Sequence, residues 1–108
     1  MEQDTEVTPV VFRCARRKDG EVTAVFPTIP ADAQGRAMQC YAHVGQHSGC
    51  SREWYNTTRA AKPEQYRDLA RELEQHYGYR LKVYARIQPA HRKAFDAALR
   101  RQNNPGAA

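Results

Sequence analysis

Apolar residues fall on every second position over residues 9–17, placing Val10, Phe12 and Cys14 on one face. That is the period of a β-strand. Residues 21–27 repeat it with Val22, Ala24 and Phe26, and the intervening Lys18-Asp19-Gly20 supplies the positive-φ dipeptide of a tight turn. Together they predict a hairpin. Pro27, Pro30 and residues 31–35 end the second strand in a loop. Alternation resumes over 36–45, with Met38, Cys40, Ala42 and Val44 on one face and Gln39, Tyr41 and His43 on the other, which predicts a third strand. Residues 46–62 carry Gly, Ser, Asn and Thr without a period and read as a long surface loop.

The period then changes. Tyr66, Leu69, Ala70, Leu73 and Tyr77 recur at three and four residues, one apolar stripe on a helix over 63–76. Pro63 suits its first position, Glu64 its dipole and Gly78 its C-cap. Residues 79–87 alternate again: Tyr79, Leu81, Val83, Ala85 and Ile87 against Arg80, Lys82, Tyr84 and Arg86, a fourth strand. After Pro89, Ala94, Phe95, Ala98 and Leu99 stand at helical spacing. The order β-β-β-α-β predicts an α+β fold, a three- to four-stranded antiparallel sheet with a helix packed on one face, plus a C-terminal helix. The expected organisation is a flexible N-terminus over 1–7, a single α+β domain over 8–88, a C-terminal helix over 89–102 and a flexible tail over 103–108.

Length and composition narrow this picture. A chain of 108 residues has room for one core, and 41% hydrophobic with 27% charged residues is a globular balance. Apolar runs such as Val10-Val11-Phe12 are far shorter than the roughly 20 residues that cross a bilayer. The acidic stretch Met1 to Glu6 lacks the features of a secretory signal, so a cytoplasmic location without membrane contact is expected. An odd number of cysteines, Cys14, Cys40 and Cys50, fits reduced thiols better than a disulfide framework. The net charge of +5 favours phosphate backbones or acidic protein surfaces as partners.

If one side of the sheet is open, Arg13, Arg17, Tyr41, His43, Arg80, Lys82, Tyr84 and Arg86 share it. Basic side chains interleaved with rings are how a sheet surface holds a single nucleic-acid strand, stacking bases while cations track phosphates. The competing reading is a solvated basic face with no specific ligand. The C-terminal helix bears on both, because its apolar stripe, flanked by His91, Arg92, Lys93, Arg100 and Arg101, has three uses: covering that face, pairing with a second copy as a homodimer, or docking a partner.

Cys40, His43, His47 and Cys50 form a C-x2-H-x3-H-x2-C series, the donor types that tetrahedral zinc takes. On a regular strand Cys40 and His43 point to opposite faces, so the series converges on one ion only if the chain bulges. No cofactor is therefore expected. His43 and His47 with Gln46 form an alternative polar site beside Tyr55, with Glu53 the nearest carboxylate in sequence, but histidines at a strand end also serve to pin a loop by hydrogen bonds. Cys50 lacks the sequence signature of a catalytic thiol, and no catalytic residue is assigned.

Val11-Phe12-Arg13, Asp19-Gly20, Ala24-Val25-Phe26-Pro27, Tyr41-Ala42-His43-Val44-Gly45-Gln46-His47, Pro63-Glu64-Gln65-Tyr66 with Leu69 and Glu72-Leu73, and Tyr79-Arg80-Leu81 make a pattern over residues 11–86. It resembles a group of small uncharacterised bacterial proteins of phage and integrative or conjugative elements. The resemblance implies a mobile-element context and an α+β fold. The chain departs from the group at Lys62, where a capping Thr often precedes the helix proline. The expectation is a non-enzymatic binding module, an accessory protein of a mobile element that binds DNA, RNA or an acidic protein. Two alternatives stand beside it: a small metal-binding protein or enzyme centred on His43, His47 and Cys50, and a phage-derived inhibitor of a host nucleic-acid-handling complex.

Overall fold

The computed structural model describes residues 7–16, 21–42 and 47–104. The elements run β1 (Thr8–Ala15), β2 (Val22–Pro30), β3 (Ala37–Tyr41), β4 (His47–Ser51), α1 (Arg52–Asn56), β5 (Thr58–Ala60), α2 (Pro63–Tyr77), β6 (Leu81–Tyr84) and α3 (Pro89–Asn103). The fold is α+β, as the element order predicts. Among the described residues one sheet holds the strands in the order β4-β3-β2-β1-β5, with β6 also on β1.

β1 and β2 pair antiparallel with Val11 opposite Val25, the partnership the hairpin reading requires. The turn at Lys18-Asp19-Gly20 lies outside the described residues. β2 passes through Pro27 and ends at Pro30, with a shift in register against β3 between Phe26 and Pro30. A bulge there accommodates prolines that cannot donate to a regular ladder.

The sheet is larger than the alternation predicts. The stretch expected as a loop over 46–62 holds two strands within its described residues 47–62: β4 pairs with β3 across its length, and β5 pairs antiparallel with Arg13–Ala15 of β1. Between them α1 is capped by the Ser51 hydroxyl, which accepts from the Trp54 amide at 3.0 Å. The outer edge of β1 is divided, since Thr8–Val11 pair with β6 in parallel while the second half carries β5.

Both faces of the sheet are buried. Val10, Phe12, Ala24, Phe26 and Tyr41 pack with Leu69 and Leu73 of α2. The opposite positions Val25, Met38, Cys40 and Cys50 pack with Phe95 of α3. Val10-Val11-Phe12 and Ala24-Val25-Phe26 are therefore runs rather than alternations, the signature of strands covered on two sides.

The helices begin alike. Gln65 Oε1 accepts from the Lys62 amide at 2.8 Å, and His91 Nδ1 accepts from the Gln88 amide at 3.0 Å, each one turn behind a proline at the first position. A side chain at the third helical position thus satisfies the cap amide without Ser or Thr at the cap. α2 closes on Gly78 in the left-handed region, as expected. At the far end of α3, Asn103 donates to the Ala33 carbonyl at 2.9 Å, fastening the 31–36 turn to the helix. No helix among the described residues is long and apolar enough to cross a membrane.

Candidate functional site

The basic and aromatic residues expected on one open face divide into four groups. Arg17 and His43 lie outside the described residues. Arg13 is half-buried on the α3 side of β1. It donates from Nε to Thr58 Oγ1 at 2.8 Å and from Nη2 to the Thr58 carbonyl at 2.7 Å, with its guanidinium 4.3 Å from the Tyr55 ring centre. These contacts tie β1 to β5.

Tyr41 sits on the other side, only 1% exposed, and its hydroxyl donates to the Glu72 carboxylate. Among the described residues neither sheet face is an open platform, because α2 packs on one and α3 on the other. The stripe of α3 formed by Phe95 and Leu99 is directed at the sheet.

Arg80, Lys82 and Arg86 remain exposed, and they follow the outermost strand. Among the described residues β6 pairs with β1 alone, so its other edge is open. Leu81 packs into the α2 cluster while Lys82 and Tyr84 take the alternate side. Tyr84 is half-buried against His91, ring centres 4.4 Å apart and edge-on, and Lys82 Nζ lies 5.6 Å from the Tyr84 ring centre. That contact brings the first turn of α3, with exposed Arg92 and Lys93, beside β6. A basic seam results, with one ring in it.

His47 belongs to a different cluster. Its ring lies within 5.1–6.1 Å of the rings of Phe26, Tyr41, Tyr77 and Tyr79, and Nε2 stands 3.0 Å from the Tyr79 hydroxyl. It is not beside Tyr55, whose hydroxyl accepts from the Ile87 amide at 3.1 Å. The Tyr41 phenol is pushed up from its ordinary range first by the hydrogen bond to Glu72, then by Tyr77. Burial, then Tyr77, raises Tyr79. Phenols raised in this way stay protonated at neutral pH and act as hydrogen-bond donors.

The cysteines are all buried thiols. Cys40 and Cys50 share the α3 side of the β3–β4 ladder and line one cavity of about 460 Å³ with Glu21, Thr23, Ser48, Ser51 and Trp54. Cys40 Sγ is 3.3 Å from Ser48 Oγ. The Cys50 thiol, hydrogen-bonded to Cys40, lowers Cys40 to about 6 against the opposing effect of burial, and Ser48 adds to the lowering. Cys50 is raised, chiefly by the same partner. The two sulfurs release one proton readily and retain the second.

The C-x2-H-x3-H-x2-C series does not converge as a zinc site would need. His47 and Cys50 are three residues apart on a regular strand and face opposite sides, so His47 joins the tyrosines and Cys50 joins Cys40. No group of three or more His, Cys, Asp or Glu side chains able to hold a metal occurs among the described residues. Cys40 and Cys50 come together because β3 and β4 form a hairpin, a relation hidden when 46–62 is read as loop.

No family model, curated protein or solved structure matches the chain.

Proposed function

We propose that the protein is a non-enzymatic module that binds nucleic acid through the seam formed by β6 and the first turn of α3. The observation that carries this reading is the set of exposed cations along the open edge strand, with Lys82 within β6, Arg80 just before it and Arg86 just after it, Tyr84 beside Lys82, and Arg92 and Lys93 on the neighbouring helix turn. Cations in a row track a phosphate backbone, and the half-buried ring offers a stacking surface for a base. The protonated phenols around His47 favour a scaffold over a reaction centre. An accessory role in a mobile element belongs to the same proposal and rests on the resemblance over residues 11–86. An acidic surface on a host nucleic-acid-handling complex would meet the same cations.

The test is fluorescence anisotropy with labelled single- and double-stranded oligonucleotides over a range of salt. Counterion release gives log K against log salt a slope of about −0.7 to −0.9 per phosphate contacted. Replacing Arg80, Lys82 and Arg86 together by Gln should make that slope shallower by about 2 to 3. A slope left unchanged by the triple substitution overturns the reading, and absence of oligonucleotide binding at low salt turns it toward an acidic protein surface.

A further inference from the structure

From the sulfurs buried between β3, β4 and α3 we infer a binding site for a soft monovalent cation of the copper(I) class, held by Cys40 and Cys50 as a bis-thiolate. The register sets the geometry. Cys40 stands opposite Ser48 and Met38 opposite Cys50, so the two cysteines occupy diagonal positions on one face. Diagonal Cα atoms on neighbouring strands lie roughly 7–8 Å apart. That usual diagonal spacing exceeds the Cα separation of about 4.4–6.8 Å that a disulfide takes.

An ion between the sulfurs removes that obstacle. With metal–thiolate bonds of about 2.3 Å, the length seen for zinc, a two-coordinate ion separates its sulfurs by roughly twice that distance. The diagonal pair can span this without leaving the ladder. Both thiols open onto the same cavity beside Trp54, so the ion has a route in.

The surrounding donors choose the metal. Met38 is buried in the same cluster, directly across from Cys50, and puts a thioether on the face that carries the thiols. Thiolate and thioether sulfur select copper(I). Zinc in a structural site takes four ligands, and among the described residues no third His, Cys, Asp or Glu joins the pair. Val25 and Phe95 pack against the pair from the core side, while Glu21, Thr23, Ser48 and Ser51 line the cavity onto which the thiols open. Cys14 is excluded by topology, because it lies on the α2 face near Gln65.

The experiment titrates copper(I) into the reduced full-length protein under anaerobic conditions, in competition with a chromophoric copper(I) chelator, with zinc run in parallel. The expected result is one copper(I) per chain withheld from the chelator, no comparable zinc binding, and retention of copper by Cys14→Ser. Cys40→Ser or Cys50→Ser leaves one thiolate and should weaken binding by about 10²- to 10⁴-fold, the advantage that linking two donors confers. Because these serine substitutions fall in the core, the copper-edge X-ray absorption spectrum of the parent protein supplies a second readout, expected to show a shell of two or three sulfurs and no light donor. Failure of the parent to hold copper(I), a shell of nitrogen or oxygen, or loss of binding in Cys14→Ser instead overturns the inference.

Discussion

Arg13 on β1 grips Thr58 on β5 twice, through the side-chain oxygen at 2.8 Å and the carbonyl at 2.7 Å. Thr58 Oγ1 in turn donates to the Tyr55 carbonyl at 2.6 Å, so the hydroxyl is used in both directions. Arg13→Ala removes the donors and leaves acceptors of a buried residue unmatched, an expected loss of about 1–3 kcal/mol in chemical denaturation. Arg13→Lys should recover only part of it, because an ammonium cannot reproduce the two-pronged geometry or stack as well on Tyr55. The salt slope of oligonucleotide binding should not change in either variant, which separates Arg13 from the cations of β6.

His47 and Tyr79 offer a second measure of scaffold against site. Tyr79→Phe removes the hydroxyl 3.0 Å from Nε2 but keeps the ring packing, and His47→Ala removes both. Expected losses are about 1 kcal/mol for the first and about 1–3 kcal/mol for the second. Oligonucleotide affinity should match the parent at a temperature where both variants are folded. If both melt like the parent while binding is lost, His47 belongs to the functional surface.

His91 should make stability depend on pH. Its Nδ1 accepts from the Gln88 amide, and burial lowers its pKa below the ordinary value, so the folded chain holds the ring neutral. Below the unfolded pKa of about 6.5 the unfolded chain binds more protons at this position than the folded one, and linkage then makes stability fall as pH falls. Melting temperature should drop from pH 7.5 to pH 5. Subtracting the profile of His91→Gln, which keeps an acceptor at the cap, should remove that component. A profile identical to the parent's would show that other groups set the dependence.

The helices and the first hairpin were legible in the sequence because each rests on a strong local period: Tyr66 to Tyr77 for α2, Ala94 to Leu99 for α3, and Val10 to Phe26 for β1 and β2. β4 and β5 were not. His47 to Ser51 has one buried apolar side chain, Cys50, and Thr58–Ala60 is three residues long, so partner strands and not their own composition hold them in place. The candidate site suffered from the same omission. Tyr41 points outward only in a sheet with one buried face, whereas the adjacent apolar pairs Val10-Val11 and Val25-Phe26 signal two. Of the four residues expected to alternate there, β6 itself holds Lys82 and Tyr84, with Arg80 and Arg86 just beyond its two ends.

The divided outer edge of β1 also bears on how the chain assembles. β5 can close the Arg13–Ala15 half once residues 58–60 have been synthesised, but the Thr8–Val11 half waits for residues 81–84, more than seventy positions later in the chain. Until then Val10 and Val11 sit on an unpaired strand edge, the sort that templates pairing with another molecule. Contacts of such sequence separation also slow folding. The step most exposed to misassembly during synthesis is thus the arrival of β6, the same short strand whose cations form the proposed binding seam.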